Sequence, residues 1–242
     1  MTIARSFLIT LTTSLFLVSC NQSGQNNQEI SSSSSTASSV SSANVETRES
    51  LEERAKAGEK DAQFNLGALY YNGEGVERNL ALAKSWFEKA SALGEVYATF
   101  NLGVMYYQGE GVKQDLSKAR ALFEKAAAAG NERAEFNLGA LYYGGEGVTQ
   151  DFVKAKELFL RSAKQGFSEA LFNLGVMEAK GEGGIVRIDQ AYAWFVLARE
   201  SGHERAQEAI DSIEGALNAD QLKEAREFAD KLRAELSKKT GN

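Results

Sequence analysis

Few residues in this chain of 242 could do chemistry, and their spacing is the first clue. Cys20 is the sole thiol and His203 the sole imidazole. One thiol excludes an internal disulfide framework, and one imidazole argues against a His-rich metal site. Asn65, Asn101, Asn137 and Asn173 stand 36 residues apart. A primary amide offers a donor and an acceptor together, which suits it to pair with the main chain of an extended peptide. Tyr71, Tyr107 and Tyr143 keep the same spacing and supply large amphipathic contact area at low entropic cost. Glu74, Glu110, Glu146 and Glu182 each sit between two glycines. They could line an edge facing a basic partner. Calcium would call for an accompanying Asp-x-Asp ligand run, which is missing, so solvated turn residues are the simpler reading.

Composition narrows the function classes. The net charge of −6 leaves no basic excess to neutralise phosphates, which argues against a nucleic-acid binder. No Walker loop, G-x-S-x-G, HExxH or Ser-x-x-Lys occurs, and acid–base or nucleophile constellations are lacking. His203 opens a closing helix and reads as a surface residue. We therefore expect no enzyme, no cofactor and no metal site.

The N-terminus reads as an address. Arg5 is followed by an apolar stretch of 12 residues, Phe7 to Val18. A membrane-spanning helix needs about 20 apolar residues, so this is a secretory signal segment. It closes on Leu17-Val18-Ser19-Cys20, which resembles the bacterial lipobox. That resemblance implies lipidation of the Cys20 thiol after cleavage before it, hence a signal peptide over 1–19. By the enterobacterial sorting pattern, Asn21 in place of Asp implies the outer membrane, and we expect the domain to face the periplasm or the surface, the periplasm first. Residues 21–44 hold ten serines and almost no large apolar groups, too little to offset chain entropy. The segment 20–44 reads as a disordered tether with a root-mean-square reach on the order of 27 Å.

The remainder repeats. Phe-Asn-Leu-Gly begins at Phe64, Phe100, Phe136 and Phe172, and Gly58, Gly94, Gly130, Gly166 and Gly202 hold the same 36-residue period. Each unit reads as two helices. The first spans about 59–71, with Ala62, Leu66, Leu69 and Tyr70 on one side. It ends where Asn72-Gly73-Glu74-Gly75 allows positive φ. The second starts at Asn79, Asp115 or Asp151, whose side chains can cap it, and shows Leu80, Ala83, Trp86 or Phe87, and Ala90 on its buried face. One pair cannot bury its own apolar face, so the units must stack. Residues 45–57 read as a lead-in helix, 58–201 as four repeats and 202–242 as two capping helices.

The pattern A-x3-LG-x2-Y-x2-G-x-GV-x2-D-x3-A resembles the Sel-one-like repeat family, relatives of the tetratricopeptide repeats with a longer loop between paired helices. The resemblance covers about residues 50–217 and implies an all-α, right-handed superhelical solenoid of stacked helix–loop–helix repeats. It also implies adaptor work: a non-catalytic scaffold or regulator that binds an envelope protein or an extended peptide. An immunity protein that neutralises a toxic effector, or a cell-wall glycan binder using the Tyr ladder, are the alternatives. The four Asn lie about 100° from the Leu66 stripe, where each could bind a partner, or bond to a neighbouring repeat or to water. Tyr71 and its copies could serve binding or inter-repeat packing.

Overall fold

The computed structural model describes residues 48–237. Cys20, the signal segment and the serine-rich tether lie outside the described residues. Those described form eleven α-helices and no strand. In chain order they are α1 (Arg48–Lys56), α2 (Lys60–Asn72), α3 (Leu80–Ala92), α4 (Val96–Gln108), α5 (Leu116–Ala128), α6 (Glu132–Gly144), α7 (Phe152–Ala163), α8 (Ser168–Lys180), α9 (Ile188–Glu200), α10 (Ala206–Glu214) and α11 (Ala219–Ser237). The described residues divide into two units between Asp115 and Leu116.

Helix lengths follow from the punctuation. Gly145 ends α6 in the left-handed conformation, φ 73°, and its N–H donates to the Leu141 carbonyl. An L side chain there would be strained. Starts are set by side-chain caps. Asn79 accepts from the Leu82 N–H, Asn131 from Ala134 and Asp151 from Lys154, each satisfying a donor that the first turn leaves unpaired. Arg187, in the corresponding place before α9, makes no such bond.

In the first unit, α1 packs on α2, α2 on α3 and α3 on α4. Leu51 and Ala55 of α1 join Ala62 and Leu66 of α2 in one buried cluster. Phe87 of α3 is fully buried and lies against Gly67, where a Cβ would come within 2.6 Å of its ring. The repeated glycine is thus a close-approach residue.

The second unit repeats that joint twice, Gly139 against Phe159 and Gly175 against Phe195. The loop after α6 seats on α5: a Cβ on Gly147 would meet Leu116 Cβ at 2.8 Å. At its C-terminal end α9 packs on both α10 and α11. Trp194 meets Phe228 edge-on at 6.5 Å. Arg233 grips both Glu200 carboxylate oxygens, at 2.9 and 2.7 Å. The core of this unit runs from Phe136 through Phe172 and Phe195 to Ile210 and Leu217.

Candidate functional site

The candidate residues sit on the first helix of each pair. The asparagines are not equivalent in their surroundings. Asn65 on α2 is exposed and Asn173 on α8 half-buried. Asn101 on α4 is 6% exposed and Asn137 on α6 is fully enclosed. Among the described residues, neither the Oδ1 nor the Nδ2 of Asn137 has a hydrogen-bond partner. Such an amide forgoes bonds it would have in water, at a cost of about 1–3 kcal/mol. Its donor and acceptor are both uncommitted, which is unusual for a buried polar side chain.

The tyrosines are anchored from within. Tyr71 is buried, while Tyr107 and Tyr143 are half-buried. In the first unit the Tyr71 hydroxyl donates to Glu110 of the next Gly-flanked loop. Arg78 donates to the Tyr71 carbonyl at 2.9 Å and pairs with Glu110 at 3.1 Å. In the second unit the Tyr143 hydroxyl donates to Glu182 at 2.7 Å, and Lys180 stands 3.8 Å from the same carboxylate. Burial and the Glu182 carboxylate both hold the Tyr143 phenol well above its ordinary ionisation. Glu110 and Glu182 are therefore more than turn residues: they bind one repeat to the next. In the sequence alone the Tyr and Glu series stand as two separate ladders. Their 39-residue offset, one period plus three, was the available signal.

Polar side chains of the second unit tie helices together elsewhere. Glu135 on α6 is buried and accepts from Arg161 and Gln165, at 2.9 and 2.8 Å. Lys156 on α7 meets the buried Glu178 of α8 at 2.7 Å. Neither pair is legible in the sequence: the cations recur, as Lys84, Arg120 and Lys156 and as Lys89, Lys125 and Arg161, but each carboxylate stands where the other repeats carry no acid.

His203 departs from the expectation of a surface residue. Its ring is half-buried and stacks flat on Phe172, with centroids 4.1 Å apart and planes 9° from parallel. An imidazole has two apolar faces, and a flat aromatic neighbour is a favourable place for one of them. Among the described residues, no cluster of three His, Cys, Asp or Glu side chains is arranged to hold a metal ion. The arrangement offers hydrogen-bonding amides, aromatic edges and paired charges, which suit recognition of another molecule.

An all-α protein of tandem helix pairs is the class these features define. The Sel1 repeat family model matches residues 60–95, 96–131, 132–167 and 168–203, more than half of the chain. The chain belongs to the Sel1 repeat family, whose repeats generally serve as protein-interaction scaffolds. Among solved structures it is similar to c5321, described as a protective antigen present in uropathogenic Escherichia coli strains and displaying an SLR fold. The two share 34% identity at a TM-score of 0.62, over 64% of this chain and 33% of that one. A Sel1 repeat protein from Oxalobacter formigenes is 30% identical at a TM-score of 0.62, over 64% of this chain and 63% of that one. The chain thus spans about a third of the first protein's length and under two thirds of the second's. No curated protein matches it.

Proposed function

We propose that this protein is a non-catalytic scaffold or regulator of the bacterial cell envelope that binds a segment of another protein along the first helices, α6 and α8, of the second unit's repeats. The observation that carries this reading is Asn137, a buried amide with both hydrogen-bonding atoms uncommitted, recurring in register with Asn65, Asn101 and Asn173. A main-chain peptide unit presents one donor and one acceptor and would complete that amide once the side chains enclosing it move aside. Membership in a family of interaction scaffolds supports the same reading. The envelope placement rests on the lipobox-like Leu17-Val18-Ser19-Cys20. Cys20 carries the lipid anchor, and the tether holds the repeats off the membrane.

Two experiments test this. A photo-reactive residue at position 173 in the lipid-anchored chain is expected to capture one dominant envelope protein, and Asn137→Ala is expected to abolish that capture without changing helical content. Equal capture by Asn137→Ala, or recovery of wall fragments in place of protein, removes the proposal. Mass spectrometry of membrane-extracted protein is expected to show an acylated Cys20 at the new N-terminus. An unmodified Cys20, or cleavage elsewhere, removes the anchor.

A further inference from the structure

The chain has a single histidine, and the fold sets it at the seam between the last matched repeat and the closing helices. The His203 N–H donates to the Ala198 carbonyl of α9 at 2.9 Å, and its carbonyl accepts from the Ala206 N–H that opens α10, at 3.1 Å. Its ring lies flat on Phe172 of α8, 4.1 Å between centroids. The Arg205 guanidinium stands 5.6 Å from the same phenylalanine ring. Among the described residues, the buried Nδ1 of His203 has no hydrogen-bond partner. Phe172, Ala206 and Ile210 share one hydrophobic core, so the stack lies where α10 joins the repeats.

A neutral imidazole tolerates this site, because one nitrogen then needs no acceptor. Protonation makes both nitrogens donors, and it would place an N–H bearing charge where nothing accepts it. We infer that His203 is a proton-sensitive latch on the C-terminal cap: gaining a proton drives its ring off Phe172 and loosens α10 from the repeats. The charged groups facing it are Glu169 from α8, with Glu204 and Arg205 in its own turn. Arg199 of α9 is engaged with Gln207 at 3.0 Å. Burial, the largest influence, pushes the imidazole below its ordinary value. Arg205 acts in the same direction, while Glu169 and Glu204 oppose it. The latch is therefore closed at neutral pH and opens as pH falls below about 6.5, where an unfolded histidine takes up its proton.

Amide hydrogen exchange of the full chain, free of added histidines, tests this at pH 7.5 and pH 5.0 after correction for intrinsic exchange rates. In the wild type, residues 203–214 are expected to lose protection severalfold on acidification, because the unfolded chain takes up the proton more readily than the folded one. His203→Phe keeps a ring on Phe172 without a titrating group and is expected to hold that protection at both pH values. His203→Gln, which lacks a ring, is expected to lose protection at both. An NMR titration of the only imidazole is expected to give a midpoint below 6.5. A midpoint at or above 6.5, or the same acid loosening in His203→Phe, overturns the latch.

Discussion

The Tyr143 hydroxyl donates to Glu182 at 2.7 Å across 39 residues of sequence. Tyr71 makes the same reach to Glu110 in the other unit. The acceptor sits between glycines, so its loop can turn a carboxylate back onto the preceding repeat. A repeat protein holds together through nearest-neighbour interfaces, and this bond is a polar fastening laid over the apolar one. The Tyr–Glu pair is therefore a unit of inter-repeat stability whatever else the tyrosine does.

Tyr143→Phe removes the donor and leaves the ring in place against Phe152, now 5.4 Å away. Glu182 keeps Lys180 at 3.8 Å and remains partly solvated. The loss is then the bond to the charged Glu182 and the longer one that the hydroxyl accepts from Lys180 at 3.4 Å, together about 1–2 kcal/mol after allowance for that exposure. Urea unfolding should show the midpoint falling with little change in slope. An unchanged midpoint would mean that solvent replaces the bond at no cost.

The same bond has a signature in alkali. Burial and the Glu182 carboxylate hold the Tyr143 phenol above its ordinary value, so the unfolded chain ionises it first. Its contribution is complete below about pH 10 and is lost as pH rises above that. Melting temperatures at pH 9 and pH 11 are expected to fall further for the wild type than for Tyr143→Phe. Parallel slopes would place the alkaline loss at other groups.

What was legible in sequence was whatever recurs. Gly67, Gly103, Gly139 and Gly175, the Phe-Asn-Leu-Gly run and the Asn79, Asp115 and Asp151 helix starts repeat every 36 residues, and together they yield the helices, their ends and the family. The polar ties were not legible in this way. Glu135 with Arg161, and Lys156 with Glu178, join a cation position that recurs to a carboxylate that does not: Glu135 stands where other repeats carry Gln63, Thr99 and Leu171, and Glu178 where they carry Tyr70, Tyr106 and Tyr142. Asn137 was visible as one of a series, but its enclosure was not. Periodicity reports which face a residue occupies and says nothing of how deeply that face is covered. His203 looked superficial because it opens a charged closing segment, yet its ring found the flat face of Phe172.

Gly175→Ala tests the close-approach joint. A Cβ there would stand 2.6 Å from the Phe195 ring, against 2.9 Å for Gly139 and Phe159. Both phenylalanines are essentially inaccessible, so their rings have little room to withdraw. Overpacking of this kind costs about 1–3 kcal/mol, partly offset by the better helix propensity of Ala, about 1 kcal/mol. Gly175→Ala should therefore destabilise more than Gly139→Ala, measured by chemical denaturation. The reverse order would show that the α8–α9 joint relaxes more readily than the α6–α7 joint.

Asn137→Leu separates the two roles open to the asparagine series. If the amide is uncommitted in the free protein, as its lack of partners indicates, leucine of similar shape removes an unsatisfied donor and acceptor and adds apolar burial. The gain is about 1–3 kcal/mol, seen as a higher melting temperature. The same change deletes the group that would pair with a bound main chain, so capture of the partner should fall as stability rises. That opposition is characteristic of a residue kept for recognition at the expense of the fold. A structural amide bonded to a neighbouring repeat behaves otherwise: leucine would strand its partner, and the melting temperature would drop together with binding. Thermal unfolding and partner capture on one variant thus decide between a residue held for binding and one held for the stack.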